Sequence, residues 1–426
     1  MAQPRSLRAQ SQGLKALQSL NFFMADMQAG VGPFLGVFLL AHGWKSGLIG
    51  TVMTIGGLAG VVMSAPAGAW VDASTHKRSL VVVTGVCTMF ASALVLLSQN
   101  FWTVALSQVA TAVASAAIGP AVSGITLGMV GQVVFNRQNG INQAYNHAGN
   151  AAGAILSGFL GWKFGIPAVF WLAVAFAVGS IASIALIPKN AIDDRKARGL
   201  KGKQGTETRA SGFSVLYNCK PLLALAAALA LFHLGNGAML PLYGLAIVDA
   251  KQGDPSTFVA ATVVVAQVTM VIASLVAMRA SDSRSLWLLM LISFIALPIR
   301  GLIAAYLIKA WGVFPVQILD GIGAGLQSVA VPSLVARTLN GTGRVNVGQG
   351  SVLTAQGIGA CLSPALGGWI AQWLGYAPAF LILGSLALGS VLLWMTSASL
   401  FTSMGKIPRG LAHLPRGARI RAASAS

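Results

Sequence analysis

The sequence predicts an all-α integral membrane protein with twelve transmembrane helices in two six-helix, pseudo-symmetric halves. Three observations carry that prediction: charge is scarce inside long apolar runs, basic residues alternate between successive breaks, and motifs repeat about half a chain apart. At 55% hydrophobic and 9% charged, with a mean hydropathy of +0.75, the 426 residues lie far from the roughly 25% charge of a soluble domain. Of 28 basic and 9 acidic side chains, only Asp26, Arg300 and Asp320 fall deep within apolar runs. A charge at bilayer depth costs about 2.5–3.5 kcal/mol on insertion scales, which makes these three the first functional candidates.

Runs of about 20 apolar residues define the spans. A tail, 1–16, carries Arg5, Arg8 and Lys15 but no short apolar core with a cleavage site, so the first span is read as a retained helix. That span, 17–41, holds Asp26, Gln28 and Pro33. The second, 46–70, has a small-residue face at Gly56, Gly57 and Gly60. After Lys77 and Arg78 comes the third, 79–98, and then the fourth, 101–131, with Pro120, Gly124 and Gly128. A break at Arg137 precedes the fifth, 141–164, and the sixth, 167–187, opens on Pro167-Ala168 and closes a first bundle, 17–188. Residues 189–219 form a basic, polar linker.

The second bundle, 220–400, begins with a seventh span, 220–248, carrying His233, Asn236 and Pro241. The eighth, 256–279, ends at a break with Arg279 and Arg284. The ninth, 285–308, contains Pro298 and Arg300; the tenth, 311–335, contains Asp320, Gly321, Gly325 and Pro332. Beyond Arg337 and Arg344 lie the eleventh, 347–373, and the twelfth, 377–400, followed by a basic tail, 401–426. The glycine pairs at four-residue spacing permit close helix approach.

Two tests support the count. With the termini, linker and even-to-odd breaks on one side, that side holds 23 of the 28 Lys and Arg; the other has only Lys45, Lys163, Lys251 and Lys309. Such a bias places both termini in the cytoplasm. The halves also repeat. The fifth span has Gly153, Ser157, Gly158, Gly161 and Trp162; the eleventh has Gly359, Ser363, Pro364, Gly367, Gly368 and Trp369. Each follows an Arg-x-Asn (Arg137 and Asn139; Arg344 and Asn346) and leads into a Pro-Ala (Pro167-Ala168; Pro378-Ala379).

On these residues the chain resembles the major facilitator superfamily over about residues 15 to 400. The family's loop signature is matched at Gly68, Asp72 and Lys77, while Ala73, Thr75 and His76 depart from it. With Arg78, the matching residues imply a cytoplasmic gate. The family's antiporter glycine–proline motif belongs in the fifth span, yet here the eleventh carries the better copy. The resemblance implies alternating access around a central cavity, and it adds weight to an arginine in the ninth span working with a carboxylate in the tenth, as in lactose-permease-like symporters.

Arg300 and Asp320 stand about ten residues either side of the turn near Ala310, so an antiparallel hairpin sets them level. They form either a static ion pair or a protonation switch. Asp26 has no cation near it in sequence, and a carboxyl group at that depth favours carrying a proton. Together these three are the expected proton-coupling residues. Gln28, Gln143, His147, Asn150, His233 and Asn236 are the expected substrate path. Gln143, His147 and Asn150 share a face at i, i+4, i+7, as do His233 and Asn236 at i, i+3. The alternative for any one of them is a plain interhelical hydrogen bond.

Cys87, Cys219 and Cys361 read as buried filler, and no metal, cofactor or nucleotide motif occurs. The net charge of +19 lies in membrane-flanking segments, where it meets lipid headgroups and not nucleic acid. The expected activity is proton-coupled transport of a small organic solute across a bacterial-type inner membrane by a monomer. Efflux by antiport is favoured slightly over uptake by symport, and a non-transporting sensor or scaffold is the third reading.

Overall fold

The computed structural model describes residues 3–29, 31–74, 76–188, 191–193, 219–252, 254–278, 283–339 and 345–402. Among them every regular element is a helix: α1 (Gln3–Ala29), α2 (Val31–Ala41), α3 (Ser46–Ala73), α4 (Lys77–Leu97), α5 (Phe101–Phe164), α6 (Pro167–Ala185), α7 (Lys220–Asn236) and α8 (Met239–Asp249). There follow α9 (Pro255–Ala277), α10 (Ser283–Tyr306), α11 (Val313–Thr338), α12 (Val345–Leu374), α13 (Tyr376–Thr396) and α14 (Ala398–Thr402). Nine described stretches are long and apolar enough to cross a membrane. The other three expected spans are the helical runs α1–α2, the second limb of α5, and α12.

Local chemistry explains several boundaries. The Asn100 side chain accepts from Thr103 N at 2.8 Å and starts α5; Asp254 does the same for Thr257 N at 2.8 Å in α9. Gly165 and Gly375, at φ 81° and 92°, end α5 and α12 at equivalent points of the repeat. Such φ values exclude most side chains, which is why glycine recurs there.

Three boundaries differ from expectation, the first being that α1 begins at Gln3, within the expected tail 1–16. The break expected between the fourth and fifth spans is helical, and α5 runs through it with a kink at Gly131 (φ 69°, ψ 173°). Asn142 Nδ2 donates to Thr126 Oγ1 at 3.0 Å and Gln138 Nε2 to Asn142 Oδ1 at 3.0 Å, so buried amides tie the two limbs across the kink. The seventh span is divided: α7 ends at Asn236, and α8 resumes after Gly237 and Ala238.

The halves meet in a pseudo-two-fold pattern. α3 packs on α12, the second limb of α5 packs on α9, and α2 packs on α8. The described contacts concentrate at one end, opposite the linker and called here the far side. Ser46 Oγ donates to Gly368 O at 3.0 Å, Gly47 N to Gln372 Oε1 at 3.2 Å, Trp369 Nε1 to Thr51 Oγ1 at 3.0 Å, and Ala365 N to Thr54 Oγ1 at 3.0 Å. A hydrophobic cluster joins Phe34, Phe38 and Phe170 to Leu245, Tyr243 and Phe258 at that end. On the linker side, Leu17, Leu20, Val71, Ile118, Ile125 and Ile187 form a separate cluster within the first half. A β-carbon on Gly68 or Gly350 there would meet nothing within 4 Å. The helices are therefore closed together at the far side and parted toward the linker. Trp102, Trp162, Trp311 and Trp373 are exposed at far-side helix ends, as expected of an aromatic belt at a membrane interface.

Candidate functional site

The helix break between α7 and α8 positions a buried charged cluster. Its last α7 residue, Asn236, accepts through Oδ1 from Arg300 Nη1 of α10 at 2.6 Å. The same nitrogen donates to Asp320 Oδ1 of α11 at 2.7 Å. The level pairing expected of the α10–α11 hairpin is present, and Asn236 completes it as a third member. Arg300 is 1% exposed and Asp320 19% exposed. The carboxylate is thus the member with access to surrounding space. Arg300 Nε and Nη2 are buried without a partner among the described residues, so Nη1 carries all of its described bonding.

One turn back on α7, His233 Nε2 lies 3.1 Å from Gln356 Nε2 of α12. Both line a cavity of about 340 Å³ with Gln327, Ser328, Gln349 and Leu353. The lining residues Ala324 and Gln327 follow Asp320 along α11 by one and two turns. The cavity therefore leads along α7 and α11 toward the charged cluster, from the side where the halves are parted.

The opposite face of the break is held by the motif of the eleventh span. Ala238 N donates to Ser363 Oγ at 2.8 Å. A β-carbon on Gly237 would lie 2.7 Å from Ala360 O, and one on Gly367 2.7 Å from Ala238 Cβ. On its other side α12 meets α3: a β-carbon on Gly368 would strike Ser46 O, and one on Gly50 would strike Pro364 O. Gly359 and Gly368 are needed because the backbones of α7 and α3 approach α12 from two sides, and Gly367 because the Ala238 and Leu242 side chains crowd it.

The remaining expected residues divide. Gln143 and His147 are exposed, and Asn150 Nδ2 donates to Asn146 Oδ1 at 3.3 Å. The face of α5 that grips α1 is the neighbouring one: Asn146 Nδ2 donates to Asn21 O at 3.4 Å, and a β-carbon on Gly149 would strike Phe22 O. These residues are not brought into the Arg300 cluster. Lys77 is 2% exposed and donates from Nζ to Val71 O at 2.9 Å and Ser74 O at 2.7 Å, neutralising the carbonyl end of α3. Arg78 donates to Ile184 O (3.2 Å) and Ala185 O (3.1 Å) at the end of α6. These bonds of the two gate cations stay within the first half. Asp26 and Gln28 lie near the end of α1 and Asp72 near the end of α3; their side chains are outside the described residues.

Sequence reasoning missed Ser363 as a holder of the break. It also missed a run of neutral polar residues on α3, α4 and α5 that faces a second cavity. The signal was present: Gln108, Thr111 and Ser115 recur at i, i+3, i+7 in an otherwise apolar span.

Comparison with known proteins agrees with the architecture. The family model described as Major Facilitator Superfamily matches residues 17–347. Uncharacterised MFS-type transporters of Mycobacterium tuberculosis, strains CDC 1551 and H37Rv, are each 38% identical over 385 residues. That alignment covers 90% of this chain and 92% of theirs. Among solved structures, the nucleoside transporter NupG superposes with a TM-score of 0.71 at 13% identity, over 92% of this chain and 99% of that one. A bacterial homolog to the human lysosomal transporter Spinster gives 0.72 at 15% identity, over 96% of this chain and 100% of that one. At such identities the likeness is one of fold.

Proposed function

The chain belongs to the major facilitator superfamily, and from that premise we propose that it couples proton movement to the transport of a small organic solute by alternating access. The observation that carries this reading is the Arg300–Asp320–Asn236 cluster. A fully buried guanidinium is balanced by one partly accessible carboxylate, next to a cavity containing a histidine. Protonating Asp320 removes the charge that holds Arg300 and leaves Asn236 as its described acceptor. Arg300 then pulls on the break between α7 and α8, which Ser363 fixes to α12, which in turn forms the far-side seam with α3. One proton is thereby connected, through contiguous contacts, to the surface that must open and close. His233 stands where a proton from the linker-side cavity would pass. A membrane potential supplies about 2.3 kcal/mol per charge per 100 mV, enough for one proton to drive accumulation or expulsion.

The reading takes the linker side as cytoplasmic, the membrane as a bacterial-type inner membrane and the unit as a monomer. Asp26 serves as a second proton site, and Gly68, Asp72, Lys77 and Arg78 as the gate on the parted side. Export in exchange for protons is the preferred direction, because the glycine–proline motif occupies the pivot between the break and the far-side seam. Uptake with a proton is the second reading, favoured by the Arg300–Asp320 pair itself. The test is proton movement by purified protein in proteoliposomes challenged with a panel of compounds, comparing wild type with Asp26→Asn and Asp320→Asn. A compound-evoked proton flux abolished by either substitution supports coupling, and its sign separates antiport from symport. Solute movement without a proton signal, unchanged in both variants, overturns it.

A further inference from the structure

Between α3, α4, the first limb of α5 and α6 lies a cavity of about 480 Å³ that the proton chemistry does not use. None of its lining residues is charged. Three helices turn neutral polar residues toward it at helical spacing: Thr88 and Ser92 on α4, Gln108, Thr111 and Ser115 on α5, and Ser64 one turn from Gly60 on α3. Leu35, Met53 and Phe170 supply an apolar wall.

The hydrogen bonds divide the polar groups into two kinds. Thr88 Oγ1 donates to Thr84 O at 3.0 Å, Ser107 Oγ to Ala91 O at 2.7 Å and Ser64 Oγ to Val61 O at 2.7 Å. Each of these hydroxyls has used its proton and can only accept. Gln108, Thr111 and Ser115 make no hydrogen bond among the described residues, so their groups are available to a ligand as donors and acceptors. An ion entering this site would lose hydration and find no countercharge, a cost of several kcal/mol. A neutral hydrogen-bonding molecule bears no such cost. The volume is within the roughly 300–1,000 Å³ common for small-molecule sites.

We infer that this cavity in the first half is the binding site for an uncharged polar solute, one with hydrogen-bond donors on one face and apolar surface on the other. Its part in turnover rests on the transport reading, whereas its selectivity for neutral molecules does not. The Arg300–Asp320–Asn236 cluster of the second half then handles charge, and this cavity of the first half handles neutral recognition.

The experiment probes the cavity without presupposing the solute. Cys87, Cys219 and Cys361 are removed, and Thr111→Cys or Ser115→Cys is introduced; each keeps nearly the volume of the native side chain. Rates are measured with methyl methanethiosulfonate and with its anionic sulfonatoethyl and cationic trimethylammonioethyl counterparts, normalised to the same reagents on a free thiol. Gln252→Cys, in the exposed turn between α8 and α9, is the control. The expected result is that both charged reagents are slower than the neutral one by at least about tenfold in the cavity and comparable to it at position 252. Comparable normalised rates in the cavity overturn the inference, as does failure of all three to react there in folded protein that reacts at 252. Loss of this selectivity leaves the Asp320 proton test untouched, and failure of that test leaves the selectivity standing, so each reading falls separately.

Discussion

Neutralising Asp320 is the perturbation with the clearest expected magnitude. Arg300 is 1% exposed, its Nε and Nη2 are buried without described partners, and its Nη1 is shared between Asp320 at 2.7 Å and Asn236 at 2.6 Å. Removing one member of a buried ion pair costs about 3–5 kcal/mol, mostly from the charge left behind. In Asp320→Asn the amide oxygen still accepts one hydrogen bond, worth about 1 kcal/mol, and the site is 19% exposed, so about 2–3 kcal/mol of destabilisation is expected. Arg300→Met should cost a similar amount by stranding the carboxylate in a partly desolvated site. The double variant Arg300→Met/Asp320→Asn removes both charges together and should cost about 2 kcal/mol where the two single losses sum to about 4–6, a coupling of about 3 kcal/mol in a double-mutant cycle. Melting of the purified protein reads the stability and proteoliposome proton flux reads the function. If the pair is a switch, the double variant is stable and moves no protons with its solute. A double variant that is stable and still proton-coupled refutes the switch and leaves a static pair. Additive losses refute the electrostatic reasoning itself.

Three further outcomes test the scaffold. Gly50→Ala drives a methyl group into Pro364 O, so α3 and α12 must part; Thr54→Cys should then become reactive from the far side, while Gly60→Ala, 3.5 Å from Ala112 Cβ, should leave it protected. Ser363→Ala removes the acceptor for Ala238 N and should lower stability by about 1 kcal/mol, and solute exchange should slow even though no group touching Arg300 has changed. Gly131→Ala forces a side chain into φ 69°, ψ 173°, at a cost of about 1–3 kcal/mol; a melting temperature equal to wild type would show that the kink can be relieved elsewhere.

The spans and the repeat were legible in the sequence because they rest on sums of local transfer energies. A run of apolar residues is favourable in hydrocarbon whatever lies beside it, and Lys or Arg is costly to carry across whichever helix it follows. The depth of Arg300 and Asp320 was legible too, since a short turn fixes the register of a hairpin. What the sequence left open depends on how each helix is rotated and which distant helix it meets. Asn236 lies 64 residues from Arg300, and Ser363 lies 125 residues from Ala238, so no local pattern could pair them. Rotation likewise decided that Asn146 and Gly149, not Gln143 and His147, face α1. Helix-end carbonyls, which have no signature of their own in the sequence, drew Lys77 and Arg78 into the first half. The closed far side and parted linker side were tertiary decisions throughout. Glycine and proline in α3 and α12 permit close contact, but only the assembled packing selects the end at which that contact is made.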